Sequence, residues 1–350
     1  MMFSEIRKTL EKLSAKHKID DFEIVLSRGD NTSFNIEQRD LTISSEVGIA
    51  SMGLRLMKQG KLTYASTTVF DSSSLEHVIS AALTNLEPTA LKGFALIPEG
   101  LSSDRADAEI VNLVARPKAL RDLLSRTVRN TWEKGKGSFE RLNGNGSVFH
   151  GESWVYTARS SQPAYQRLTA FSAYIDLDSR DFEFIVGRKL PRIQKIENLG
   201  VEVAKRLPKK SLKPADVGAK GGLIDVIIHP MCLQGIFSTL VAEQIYASNK
   251  LAGLSGYKVG EKLASTKVTV YDDATHPDLL SSAPTDNEGV PSRRNVLFDK
   301  GVFKTFLYDA ETAVLDKKKS TGSGMRRPVL AEDTHEAPVR PALRSLVMEP

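Results

Sequence analysis

The sequence predicts an α+β protein: an N-terminal domain of antiparallel sheet with flanking helices, and a C-terminal β-rich domain with one buried helix. Three observations predict it. Runs of period-two alternation sit next to one another, stretches of helical periodicity bracket them, and turn-forming residues separate them. Strands grouped with strands argue against alternating βαβ units. With 350 residues, 41% hydrophobic and 26% charged, the chain supports two domains of ordinary size and a substantial core.

The elements follow in order. Ser4 can cap a helix whose inner positions are Ile6, Leu10 and Leu13. Phe22, Ile24 and Leu26 then alternate with Glu23 and Val25, and Met52, Leu54 and Leu56 with Gly53, Arg55 and Met57. Gly29-Asp30-Asn31 and Lys58-Gln59-Gly60 read as turns between such runs, giving an antiparallel meander over 22–66. A helix capped by Asp71 or Ser72 follows, with Leu75, Val78, Ile79, Ala82 and Leu86 inside. Residues 87–115 are less regular. Pro117 opens another helix (Leu120, Leu124, Val128), strand-like runs occupy Ser153–Arg159, Arg167–Leu177 and Phe182–Lys189, and a helix spans Ile193–Leu207. The order helix, strands, helix thus occurs twice, over 1–90 and 115–210, as an internal duplication would give. Pro208–Gly222, polar with prolines at one end and glycines at the other, is the expected linker between domains at 1–210 and 220–350.

The stretch Gly222–Gly322 organises the second half. Gly222–Ile228 reads as a buried strand, closed by His229-Pro230. Pro230 suits a first helical turn, and Leu233, Ile236, Phe237, Leu240, Val241 and Ile245 form one apolar helical face. Val268–Val270 reads as a strand running into Asp272-Asp273. The acidic turn Asp286-Asn287-Glu288-Gly289 comes next, then a hairpin of Arg294–Phe298 and Val302–Leu307 about a bulged turn at Asp299-Lys300-Gly301. A small-residue loop, Ser320-Thr321-Gly322-Ser323-Gly324, and a strand-like run within 340–350 complete the chain.

Composition and motifs narrow the function. The single cysteine, Cys232, permits no internal disulfide, and residues Met1–Ile6 lack a basic-then-apolar leader pattern, so a reducing cytoplasm is the expected compartment. No apolar run approaches the ~20 residues of a membrane helix. A net charge of +5 is mild; Lys317-Lys318-Lys319 and Arg326-Arg327 read as a solvated basic turn. No phosphate-binding glycine motif, helix-turn-helix or finger motif is present, so nucleic-acid binding has only that mild charge behind it. The six histidines, His17, His77, His150, His229, His276 and His335, include no pair at ligand spacing on one helix. No Gly-x-Ser-x-Gly elbow exists, and Cys232 reads as a small hydrophobe before it reads as a nucleophile. Asp272, Asp273, Asp286 and Glu288 are the strongest chemical signal. Such carboxylates can bind a hard cation and hydrolyse a substrate, or can accept backbone N–H groups in sharp turns.

Taken together, Ser255-Gly256-x-x-x-Gly260-Glu261-Lys262, Val268-Thr269-Val270-Tyr271-Asp272-Asp273, Asp286-Asn287-Glu288-Gly289-Val290-Pro291, Lys300–Asp309 and Ser320-Thr321-Gly322 resemble the TldD/PmbA family, also described as modulators of DNA gyrase. The meander with Gly53-Leu54-Arg55 and Gly60 is similar to that family's opening. The resemblance covers nearly the whole chain. It implies two kinds of subunit. One carries a zinc-binding HExxxH motif in the helix after the His-Pro strand; the other, TldE/PmbA, lacks it and completes a heterodimeric peptidase acting on unfolded peptides. Counted from His229-Pro230, the motif positions fall near Ser238, Thr239 and Glu243, which supply no histidine pair. The resemblance therefore implies a non-catalytic partner subunit with no cofactor of its own and zinc in a TldD-like partner; whether the chain alone forms a homodimer is left open by the sequence. Asp272, Asp273, Asp286, Glu288, Gly289, Ser320, Thr321 and Gly322 are then expected to shape a substrate cavity or to serve as structural turns. A stand-alone cation-dependent hydrolase and a gyrase- or nucleic-acid-binding module are the alternatives. Family members usually run to further strands, so the chain is expected to be a truncated or short form.

Overall fold

A computed structural model of the chain describes residues 3–207, 223, 225–326 and 338–349. The elements are α1 (Phe3–His17), β1 (Asp21–Glu37), β2 (Asp40–Lys58), β3 (Lys61–Thr67), α2 (Ser72–Ala82), β4 (Glu87–Pro88), β5 (Ser102–Arg105), α3 (Ala108–Ala115) and α4 (Pro117–Lys134). They continue with β6 (Leu142–Thr157), β7 (Ala164–Leu177), β8 (Asp181–Gly187), α5 (Ile193–Glu197), α6 (Leu199–Arg206), α7 (Pro230–Ile236), a π-helical turn (Phe237–Val241), α8 (Ala242–Ile245) and α9 (Ala247–Leu251). The rest are β9 (Thr269–Asp273), β10 (Arg294–Asp299), β11 (Val302–Phe303), α10 (Ala310–Leu315), β12 (Gly324–Met325), β13 (Arg340–Pro341) and β14 (Leu346–Glu349). The architecture is α+β. Among the described residues no helix is long and apolar enough to cross a membrane.

One eight-stranded sheet dominates, in the order β4-β3-β2-β1-β6-β7. The far edge of β7 is shared by β8, antiparallel along Phe171–Leu177, and β5, parallel along Tyr165–Leu168. The two meanders β1-β2-β3 and β6-β7-β8 meet at their first strands, which pair antiparallel from Glu23↔Thr157 to Glu37↔Asn143. Even-numbered residues of β1 face helices. Phe22, Ile24 and Leu26 pack with Met52, Leu54 and Leu56 of β2 against Ile6 and Leu10 of α1 and Leu75 and Ile79 of α2. Phe34 and Ile36 pack against Ile110, Leu120, Leu124 and Val203 of the later helices. Asp71 caps α2 by accepting the Ser73 and Ser74 N–H groups, and Asp107 caps α3 through those of Glu109 and Ile110, which fixes where both helices start.

The other face of the sheet is covered at one end. Val25, Val155 and Ala164 meet Ile97, while Glu23 and Arg55, directly opposite one another on β1 and β2, point to the same side. The C-terminal part closes over them. Its core is a four-stranded sheet, β11-β10-β9-β14, whose Val270, Leu297, Phe298 and Phe303 pack with Phe237, Ile245, Phe306 and Leu307.

Several sequence expectations require correction. Gly29-Asp30-Asn31 is no turn: it lies inside β1, where the Phe149 ring covers the paired Gly29 and Gly151 and replaces their missing side chains. β6 begins at Leu142, well before Ser153, because Asn143–Gly146 is strand despite its turn-like composition. The Ile193–Leu207 helix is split at Asn198. The expected strand Gly222–Ile228 forms no ladder at its described residues, and Leu223 and Ile227 are fully exposed (105% and 102%). The linker, Ile224, Arg327 and His335 lie outside the described residues.

The helix after Pro230 does form, but not as one regular cylinder. The π-turn advances the inward register, so Phe237, Ala242 and Ile245 are buried while Ile236 and Leu240 face outward. The hairpin turn is tighter than expected. Lys300 (φ 49°) and Gly301 (φ 78°) form a two-residue primed turn that pairs Asp299 with Val302. A Cβ on Gly301 would stand 2.1 Å from the Ala264 carbonyl oxygen. Gly301→Ala is therefore expected to cost roughly 1–3 kcal/mol, measured by urea unfolding, from positive φ and backbone clash together.

Candidate functional site

The carboxylates singled out in the sequence lie inside the molecule. Asp272, Asp286 and Glu288 are each at most 1% exposed. They do not converge on a shared ion position: among the described residues no group of three His, Cys, Asp or Glu side chains is placed to hold a metal. Each is instead held by its own donors.

Glu288 is the centre of the arrangement. Its Oε1 accepts Arg55 Nη1 at 2.8 Å and its Oε2 accepts the Ala310 N–H at 2.6 Å. Arg55 donates Nε to Glu23 Oε1 at 3.0 Å and Nη2 to Glu23 Oε2, forming a bidentate pair across β1 and β2. Glu23 Oε1 also accepts Arg326 Nη2 at 3.2 Å. Two strands of the large sheet, the 286–289 turn and the segment after β12 are thus tied by one buried network. Arg326 is 1% exposed, so the solvated basic turn expected of it is wrong; its charge is spent on Glu23.

Neighbouring groups complete the turn. Asp286 Oδ1 accepts the N–H groups of Glu288 and Val290, and Oδ2 accepts that of Gly324 at 2.9 Å. Asn287 and Arg326 exchange further bonds with the same loop, Asn287 N to Gly324 O and Arg326 N to Asn287 Oδ1. Gly324 passes so close that a Cβ there would lie 2.2 Å from Glu288 Oε2. Asp272 Oδ1 accepts the backbone N–H groups of Arg344 and Ser345, while Asp273 binds Thr275. Arg344 reaches Ser292 Oγ and the carbonyls of Gly322 and Thr285. Thr321 and Ser320 close onto the Tyr308 backbone, and Gly289 rests against Ile97 under the large sheet.

Burial dominates the electrostatics. It pushes the Glu288 carboxyl up to about 8, more than Arg55 pulls it down, with Asp286, Asp309 and Glu23 adding to the rise. Asp286 is raised to about 6 by burial, with Arg344 and three N–H groups opposing. Burial also works against Arg55, but Glu23 and Glu288 hold its guanidinium well above the usual arginine range.

Ser238, Thr239 and Glu243 are exposed on the outward side of the 230–245 helix. Glu243 Oε2 already accepts Asn249 Nδ2 at 2.7 Å. The adjoining loop closes on the helix end, where Gly256 N donates to Gln244 Oε1 and Ser255 Oγ to the Gln244 carbonyl. One carboxylate beside two hydroxyls does not fit zinc, which takes three or four converging imidazole, thiolate or carboxylate ligands. The zinc that the family implies therefore has no ligand set on this helix.

Two family models match the chain: PmbA/TldA metallopeptidase domain 1 over residues 22–86 and the PmbA/TldA metallopeptidase C-terminal domain over 221–350. The chain belongs to the PmbA/TldD family. An uncharacterized protein of Methanocaldococcus jannaschii is 26% identical over 342 residues, covering 91% of this chain and 74% of that protein. A metalloprotease TldD homolog of Haemophilus influenzae is 35% identical over 115 residues, covering 33% of this chain and 22% of that homolog. The crystal structure of TldE from Thermococcus kodakarensis shares the fold, with a TM-score of 0.79 at 22% identity over 97% of this chain and 77% of that one. The PmbA/TldD match over 22–86 contains both Glu23 and Arg55, and that over 221–350 contains Glu288 and Arg326. The buried network thus joins the two matched regions.

Sequence reasoning missed Glu23, Arg55 and Arg326 as its members, and Arg344 among the neighbouring groups. The available signal was a charged residue inside a nearly unbroken apolar strand, Gly53-Leu54-Arg55-Leu56-Met57, which only burial on both faces explains. Arg55→Leu is expected to lower stability by about 3–5 kcal/mol in chemical unfolding, because Glu23 and Glu288 are left buried without their partner. Removing the exposed Arg28–Glu152 pair by Arg28→Ala serves as the control, with an expected loss below about 1 kcal/mol.

Proposed function

We propose that this chain is the non-catalytic, TldE-like subunit of a metallopeptidase complex, paired with a zinc-bearing TldD-like homologue that acts on unfolded peptides. The observation that carries the reading is the outward face of the 230–245 helix. Where zinc-bearing relatives are expected to hold their motif, this chain presents Ser238, Thr239, Leu240 and Glu243, which cannot make a zinc site.

The same face supports a partner. Ile236 and Leu240 are exposed, as are Leu223, Val226, Ile227 and Ile228 in the segment that precedes the helix. An apolar surface of this kind is costly in water and suits burial against another subunit. The acidic turns and the Ser320-Thr321-Gly322 loop then act as framework: Asp286 and Glu288 fix the C-terminal part on the large sheet, and the outward surface is left for the partner. In this reading the 1–210 part carries the duplicated helix–strand–helix order and the 220–350 part carries the contact with the partner.

Co-expression with a zinc-bearing family member tests it. The chain alone is expected to purify without stoichiometric zinc and without peptide hydrolysis, and the pair to co-purify as a complex that hydrolyses peptides. Stoichiometric zinc bound to this chain alone overturns the proposal. Replacing both Ile236 and Leu240 by Glu is expected to abolish co-purification. Because the two side chains are exposed, each change should alter unfolding stability by no more than about 0.5 kcal/mol.

A further inference from the structure

One edge of the large sheet is open. β2 pairs with β1 from Asp40↔Glu37 to Met57↔Asp21, but with β3 only from Met52 to Lys58. Among the described residues no strand adjoins the other side of 41–51. The backbone N–H and C=O groups that point away from β1 there have no ladder partner. Residues 42–44, 46–48 and 50 are exposed, so the segment stands clear on both faces of the sheet. Its sequence, from Leu41 to Ser51, holds one charge, Glu46, and no lysine or proline. The other edges are blunted. β4 and β5 are two and four residues long, β4 ends in Pro88, and Arg206 binds Asp181, Glu183 and the Phe182 carbonyl on β8.

We propose that 41–51 of β2 is a docking edge for an extended, unfolded peptide, which joins the large sheet as an added strand and is held through its backbone. Size decides between this occupant and a second copy of the chain. The edge is about 35 Å long and about 10 Å deep, which makes roughly 700 Å² over both partners, whereas a stable contact between folded proteins needs about 1,000 Å² or more. A single extended segment needs only main-chain bonds and shallow places for alternate side chains. Both are present. Ile43 (59% exposed) is paired with Phe34, which faces the helices, and Val47 (48%) with Asn31 on the opposite face. One apolar side chain thus stands beside the edge on each side of the sheet. With Glu46 its single charge, the edge reads an extended backbone and not a particular sequence. The choice of an unfolded peptide rests on the role proposed above; the open edge does not.

The test uses the full chain without the partner. The probe is a fluorescent, uncharged peptide of about ten Ser, Thr and Ala residues. It is expected to bind saturably and to slow hydrogen exchange within 41–51, leaving β6 (Leu142–Thr157) unchanged. Methylating the backbone nitrogens of the same peptide is expected to weaken binding at least about tenfold. Replacing Ile43 and Val47 together by lysine is expected to do the same, because charge on an edge opposes strand addition. The melting temperature of that variant should stay unchanged, since both side chains are exposed. No binding, equal binding of the methylated peptide, or slowed exchange elsewhere than 41–51 overturns the proposal. Protection of 41–51 that rises with protein concentration, in step with a dimer mass, overturns it too, since the edge then belongs to a second copy. A chain that co-purifies with a zinc-bearing homologue yet fails to bind the probe loses the docking edge alone. One that binds the probe without co-purifying loses the subunit role alone.

Discussion

The Arg55 guanidinium is the constraint on which the rest of this structure depends. It is fully buried, it lies opposite Glu23 on the neighbouring strand, and its remaining Nη1 reaches Glu288 across 233 positions of chain. A guanidinium in that place demands carboxylates, and those carboxylates dictate where the 286–289 turn sits. The turn in turn demands Gly324 at close range and Arg326 just beyond it. Hydrophobic packing of Gly289 and Ile97 brings the two surfaces together. The ion network ties the two surfaces at this register, and removing either partner strands a buried charge.

That dependence explains how much was readable beforehand. The helices at 3–17, 72–82 and 117–134 and the strands of both meanders follow from local periodicity and capping, since each buries a face against an immediate neighbour. Boundaries failed where a tertiary partner overrode composition. Asn143–Gly146 looks like a turn, yet it is held in β6 by strands on both sides, with Leu124 filling the space that Gly146 leaves. The Gly222–Ile228 run looks like a buried strand because its residues are apolar, and apolar residues say nothing of whether a neighbouring strand is there to pair with.

The acidic turns show the same limit at the candidate site. Asp286-x-Glu288 was visible as a chemical signal, but a carboxylate pair reads alike whether it faces a cation, a substrate or an arginine. Only the alternation of β1 and β2 held a clue, since it places Glu23 and Arg55 on the face away from Leu54 and Leu56. The apolar neighbours Val25, Gly53 and Met57 mark that side as covered, without saying by what. The helix after Pro230 was located correctly, whereas the π-turn that rotates Ile236 and Leu240 outward leaves no local trace in a sequence of ordinary helix formers. Membership of the PmbA/TldD family supplies what spacing cannot: matched segments at both ends of the network.

The span of that network also orders events during synthesis. Arg55 can meet Glu23 as soon as the first hairpin exists, but Arg326 lies 303 residues beyond Glu23. Until then, the emerging N-terminal sheet carries a polar seam on a face otherwise lined by Val25, Val155 and Ala164. A nascent chain in this state offers a poor surface for self-association, because any intruding apolar segment must desolvate the Glu23–Arg55 pair without replacing its bonds. The pair is thus local in sequence, 32 positions apart, while the bonds that join the two regions span 233 and 303.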